Sequence, residues 1–113
     1  MSSPQLPNYL RANRKRLALS QDDVAFLLGT RSGAKVCRYE RFVREPSLQT
    51  ALAYEAIFKK PVRELFGGLY QKAEREIAER AKILAERKTD KPDRQSARKN
   101  ETIAALANAQ SMQ

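Results

Sequence analysis

With 113 residues, 42% of them hydrophobic, the chain has room for one small domain and an appendage, and its 22 Lys plus Arg against 13 Asp plus Glu give a formal charge of +9, so a polyanion is the expected partner. One cysteine and no histidine remove the usual zinc clusters, disulfide frameworks, imidazole bases and Cys/His dyads, and with no glycine-rich phosphate loop no enzyme, metal or cofactor is implied. No apolar run approaches a bilayer span and the opening MSSPQLPNYL lacks the charged-then-apolar layout of a signal peptide, so a soluble, cytoplasmic chain is expected.

A first helix is expected over residues 7–17, with Tyr9, Leu10 and Leu17 available to a core and Arg11, Arg14, Lys15 and Arg16 largely solvated. Residues 20–44, SQDDVAFLLGTRSGAKVCRYERFVR, then read as two short helices joined by a tight turn. Ser20 is the N-cap of the first, Asp23 stands at the capping-box position, and Asp22 adds favourable charge at the helix start. Val24, Ala25 and Leu28 fall on one side. Gly29 suits a left-handed cap, and the chain restarts near Ser32.

In the second of these helices, taking Val36 as the inward reference at about 100° per residue puts Ala34, Arg38 and Arg41 on the opposite side, with Lys35 and Cys37 on the flanks. Cations facing away from a core are how a chain presents a helix to a DNA groove. Arg38 is therefore the leading base contact, since its guanidinium can bind guanine bidentately. A phosphate contact or a salt bridge to Glu40 or Asp23 is the alternative. Glu40, an acid in a basic helix, is expected to pair with Arg14 or Arg11 of the first helix, and Tyr39 to lie in the core. Cys37 has no resolving cysteine and reads as filler.

Residues 44–47 contain Pro46 and read as a turn, with Ser47 the N-cap of a helix over 48–58 whose faces are located by Leu48, Leu52, Glu55 and Ile57. Pro61 suits the first turn of a fifth short helix, VRELF, and Gly67 with Gly68 should stop it. Residues 1–68 thus form a compact five-helix unit. A long charged helix is expected over 69–87, where Tyr70, Ala73, Ile77, Ala81 and Leu84 recur at intervals of three or four. Lys72 with Glu76, Glu76 with Arg80 and Lys82 with Glu86 are candidate i,i+4 pairs. Its narrow apolar stripe makes it a candidate dimerisation element. Residues 88–113 are a basic linker and flexible tail: 88–96, KTDKPDRQS, contain no apolar residue, and the remainder is helix-prone through its alanines but only weakly amphipathic. The charge is uneven along the chain, with a balance of +6 over residues 1–66 and +3 over 67–113.

The ordered series SQDDVAFLLG, VCRYER, REPS and PVRELF makes residues 6–66 resemble the lambda-repressor-like helix-turn-helix family, also called the Cro or Xre family, whose members are DNA-binding transcription regulators of bacteria and phages. The resemblance implies an all-α fold: a five-helix DNA-binding domain, here followed by the long C-terminal helix and tail. It implies a third helix, about residues 32–41, lying in the major groove of double-stranded DNA. The small residue that lets helices two and three approach falls on Ala25, and the phosphate-binding glutamine falls on Gln21, a helix start where free N–H groups also attract phosphate. Base-reading positions fall on Gly33, Ala34 and Arg38, and phosphate contacts after the third helix fall on Arg41 and Arg44. Lys35 adds nonspecific attraction. The chain departs from the family in three places: its turn, GTRSGAKV, is one residue longer, Phe42 and Val43 stand where glycine is usual, and Gly33 and Ala34 offer bases no side-chain hydrogen bonds.

The function implied is a sequence-specific transcription regulator, a repressor rather than an activator, acting as a homodimer on a palindrome. Two alternatives keep the same fold: an antitoxin-type protein whose residues 69–113 fold onto a protein partner, and a module bound to RNA or a ribosome.

Overall fold

The computed structural model describes residues 5–87 and 94–108. Among these the chain is all-α, with helices α1 (Leu10–Arg16), α2 (Gln21–Leu28), α3 (Gly33–Glu40), α4 (Leu48–Phe58), α5 (Val62–Leu65), α6 (Gly67–Glu86) and α7 (Arg94–Asn108). Two compact units divide between Tyr70 and Gln71, two residues beyond the boundary expected from the glycine pair.

In the first unit α2 packs on α3 and α4, α1 packs on α3, and α4 packs on α5. Their shared core is built from Leu10, Val24, Val36, Tyr39, Tyr54, Phe58 and Leu65, and burying the Leu, Val and Phe side chains among them stabilises by about 1.5–3 kcal/mol each. Tyr39 meets Tyr54 edge-on, with centroids 6.3 Å apart, and Tyr54 lies 5.4 Å from Phe58. The Tyr54 hydroxyl has no hydrogen-bond partner among the described residues. Burial first, and then the nearby Glu40 charge, holds its pKa well above the usual phenol range.

Local chemistry sets the helix ends. Ser20 and Asp23 form a reciprocal capping box, each side chain accepting the other's backbone N–H at 2.9 Å, and these bonds, the backbone one foremost, hold the Asp23 carboxyl below its ordinary pKa. Ser47 caps α4 by accepting from Thr50 N–H at 3.2 Å. Glu55 reaches from α4 to accept the Val62 N–H at 2.8 Å, capping α5 from a distance.

Helix α1 is shorter than the expected 7–17. Tyr9 N–H donates to the Leu65 carbonyl at 2.7 Å, and the buried Asn8 accepts from Leu10 N–H while donating to the Tyr39 carbonyl at 3.0 Å, so the residues before Leu10 are committed to tertiary bonds. Leu17 is 38% exposed rather than part of the core, and it is Leu19 that packs there.

On α4 the expected apolar positions Leu48 and Leu52 are exposed, while Ala51, Tyr54 and Phe58 face inward. The two aromatic rings fill the core volume and fix the rotation of the helix. The glycine pair does not stop α5 but opens α6. Gly68 N–H donates to the Leu6 carbonyl at 2.8 Å, and a Cβ at Gly68 would fall on that carbonyl, so glycine serves a close backbone approach.

In the second unit α6 continues, and Ala78, Ala81 and, on α7, Ile103 are buried. Tyr70, Ile77 and Leu84 of the expected stripe are exposed. None of the three i,i+4 pairs expected along α6 closes among the described residues; Lys60 with Glu64 approaches to 4.0 Å instead. Among the described residues α7 covers Arg94–Asn108, so residues 94–96, expected as linker, are helical, as is the described part of the tail. The rest of that linker, 88–93, and the last residues, 109–113, lie outside the described residues.

Helices α1, α2 and α3 share one C-terminal device. Leu19 N–H reaches the Arg14 carbonyl at 3.1 Å, Thr30 N–H the Ala25 carbonyl at 2.9 Å, and Val43 N–H the Arg38 carbonyl at 3.0 Å, each closing a Schellman motif around a left-handed residue. Only α2 places glycine there, Gly29 with φ 79°, whereas α1 uses Ala18 (φ 59°) and α3 uses Phe42 (φ 65°). A side chain in this conformation costs about 1–2 kcal/mol. Ala18 is exposed, so replacing it loses little packing. Ala18→Gly is expected to stabilise the protein by about 0.5–1 kcal/mol in urea unfolding, with an unchanged or lowered midpoint contradicting the strain.

Candidate nucleic-acid interface

The α2–turn–α3 unit is closed by Asp22. Its Oδ1 accepts the Gly33 N–H at 3.0 Å, joining the first turn of α2 to the first turn of α3. Gly33 is buried, and a Cβ there would stand 2.6 Å from Asp22 Oδ1 and 3.1 Å from the Gln21 Cβ. This corrects the expectation for Gly33: it is covered by α2 and serves a helix–helix approach, so it does not belong to the exposed face of α3. The turn after Gly29 ends at Ser32, the N-cap of α3.

Beyond Gly33, the burial of α3 follows the helical wheel. Val36 and Tyr39 are buried, Ala34, Arg38 and Arg41 are exposed, and Lys35 and Cys37 are intermediate. Arg44 is also exposed. Ala34, Arg38 and Arg41 stand at i, i+4 and i+7, so one side of α3 carries the small Ala34 in its first turn and two guanidiniums toward its C-terminal end. Arg31, exposed in the turn, adds a cation at the other end of the helix. Arg31 lies outside the α3 helical wheel, so helical periodicity does not mark it; its place between the Gly29 cap and the Ser32 N-cap does.

Glu40 points the other way. Arg14 donates from Nε to Glu40 Oε2 at 2.6 Å and from Nη2 to Oε1 at 3.1 Å, and its Nη1 donates to the Leu19 carbonyl at 2.9 Å. Of the two partners expected for Glu40, Arg14 is the one used, and it is not a solvated cation of α1. The hydrogen bond to Glu40 raises the guanidinium pKa of Arg14. Gln21 Nε2 also donates to Glu40 Oε1 at 3.1 Å. The side chain expected at a phosphate is thus tied into the α1–α3 ion pair, with its backbone N–H still at the start of α2.

Among the described residues no group of three or more His, Cys, Asp or Glu could hold a metal ion, and no helix is long and apolar enough to cross a membrane. Comparison with protein-family models, with curated proteins and with solved structures finds no match to this chain.

Gly33→Ala is expected to cost about 1–2 kcal/mol, because the new methyl displaces Asp22 and breaks its charge-assisted bond. Made on an Asp22→Ala background, the same change should cost clearly less, since the oxygen is already gone. Equal costs in the two backgrounds, measured by urea unfolding, would place the origin of the effect elsewhere.

Proposed function

We propose that the protein is a sequence-specific, DNA-binding transcriptional regulator of the lambda-repressor-like helix-turn-helix kind, working as a repressor in the cytoplasm. The observation that carries this reading is the exposed face of α3, where Ala34, Arg38 and Arg41 stand opposite the buried Val36. In the major groove Arg38 would read guanine O6 and N7, and Ala34 would lie against a thymine methyl. Arg31, Lys35, Arg41 and Arg44 would attract backbone phosphates, and the formal charge of +9 supports the same partner.

A domain this small reads few bases, so the proposal includes a homodimer that places two recognition helices on successive turns of a palindrome. The exposed Ile77 and Leu84, seven residues apart on α6, offer a seam for that pairing.

Selection of bound sequences from randomised duplex DNA, followed by affinity titration at several salt concentrations, tests the reading. Convergence on a palindrome is expected. Arg38→Ala should then lose about 1–3 kcal/mol of discrimination at one base pair of each half-site, whereas Arg44→Ala should weaken all sequences alike and reduce the salt slope by about one unit. Binding that stays indifferent to sequence, or that prefers folded RNA to duplex, would overturn it.

A further inference from the structure

A cleft of about 700 Å³ opens between α1 and the C-terminal end of α3, within the size range of small-molecule sites. We propose that it binds a small amphipathic carboxylate, one anionic group on an apolar or aromatic body.

Its charge is the first reason. Helix α1 presents Arg11 and Lys15 to the cleft, four residues apart and therefore on one face, and α3 contributes Arg41 at its end. The acid that also lines it, Glu40, is already matched by the two Arg14 bonds and the Gln21 amide. Three exposed cations are left facing a common space, and guanidinium pairs with carboxylate in a planar, bidentate geometry.

The second reason is Phe42, which lines the same cleft with Tyr9 and Leu6. It occupies the left-handed cap of α3 at φ 65°, the conformation for which the equivalent cap of α2 uses Gly29. The residue is 48% exposed, so packing in the core does not account for a large side chain at this cap. A strained residue at the mouth of a cavity is the kind of outlier that marks a ligand contact. A phosphate group alone would use the cations but not the ring. An acid with an apolar body uses both.

The site stands apart from the DNA-binding reading. One consequence rests on that reading: Arg41 also belongs to the proposed phosphate contacts, so an occupied cleft competes with the DNA backbone for it.

The test is an amide-shift NMR titration of the full chain with naphthoate, its uncharged isostere naphthamide, and inorganic phosphate. Naphthoate is expected to give saturable shifts around Ala12, Gln21 and Phe42 with a Kd of about 1 mM or tighter, and naphthamide to bind roughly ten-fold more weakly or not at all. Phe42→Gly should keep or raise the thermal midpoint yet weaken naphthoate by about ten-fold. Arg11→Gln with Lys15→Gln should weaken it similarly while leaving the midpoint unchanged. Absence of saturable shifts, equal binding of acid and amide, or phosphate binding as tightly as naphthoate whatever stands at position 42, would each overturn the proposal.

Discussion

The fold of the first unit depends on one ion pair. Arg14 of α1 and Glu40 of α3 lie with side chains 11% and 3% exposed, and removing either partner would strand the other charge in a poor solvent for it. Such a pair contributes little net stability compared with apolar groups of the same volume, because desolvation offsets most of the attraction. What it contributes is geometry. The fork of Arg14 fixes the azimuth of α3 against α1, its remaining nitrogen holds the Leu19 carbonyl just before α2, and Gln21 at the start of α2 closes on the same carboxylate. Three helices are thereby referred to one atom group, and the exposed face of α3 follows from that reference.

Strain is distributed around this arrangement in an orderly way. Each of the first three helices must end abruptly to let the next one pack, and each does so through a left-handed residue. At Gly29 the sequence accommodates the conformation, at Ala18 it accepts a small penalty on the surface, and at Phe42 it keeps a large ring in an unfavourable backbone. The last of these lies beside the ion pair and the cations of α1, where polar and apolar groups meet in one cleft.

What the sequence made legible was local. The capping box at Ser20 and Asp23, the left-handed turn at Gly29 and the buried side of α3 through Val36 all depend on residues within a few positions of one another. Glu40 was legible for a different reason, since a lone acid in a basic helix needs a partner and α1 offers Arg11 and Arg14. Contacts between distant segments were not legible. Gly33 resembles a weak base-reading position until α2 is seen lying against it, and Gly68 resembles a helix stop until the Leu6 carbonyl is seen occupying the space of its missing Cβ. Leu48 and Leu52 locate a face of α4 by sequence, yet that face is exposed and it is Tyr54 and Phe58 that are buried. At the candidate interface, exposure could be read from the wheel, but the tie between Gln21 and Glu40 could not.

The measurement that tests this account most directly is a double-mutant cycle of Arg14→Met and Glu40→Leu by urea unfolding, with duplex binding followed in parallel. If the pair is the reference on which α1, α2 and α3 are assembled, each single change should cost about 3–5 kcal/mol and the double change far less than their sum, as an apolar pair replaces a stranded charge. Loss of stability and loss of duplex affinity should then track each other across the single variants. Costs that add to within about 0.5 kcal/mol would mean the two residues act independently, and the fold would have to owe the placement of α3 to its apolar core alone.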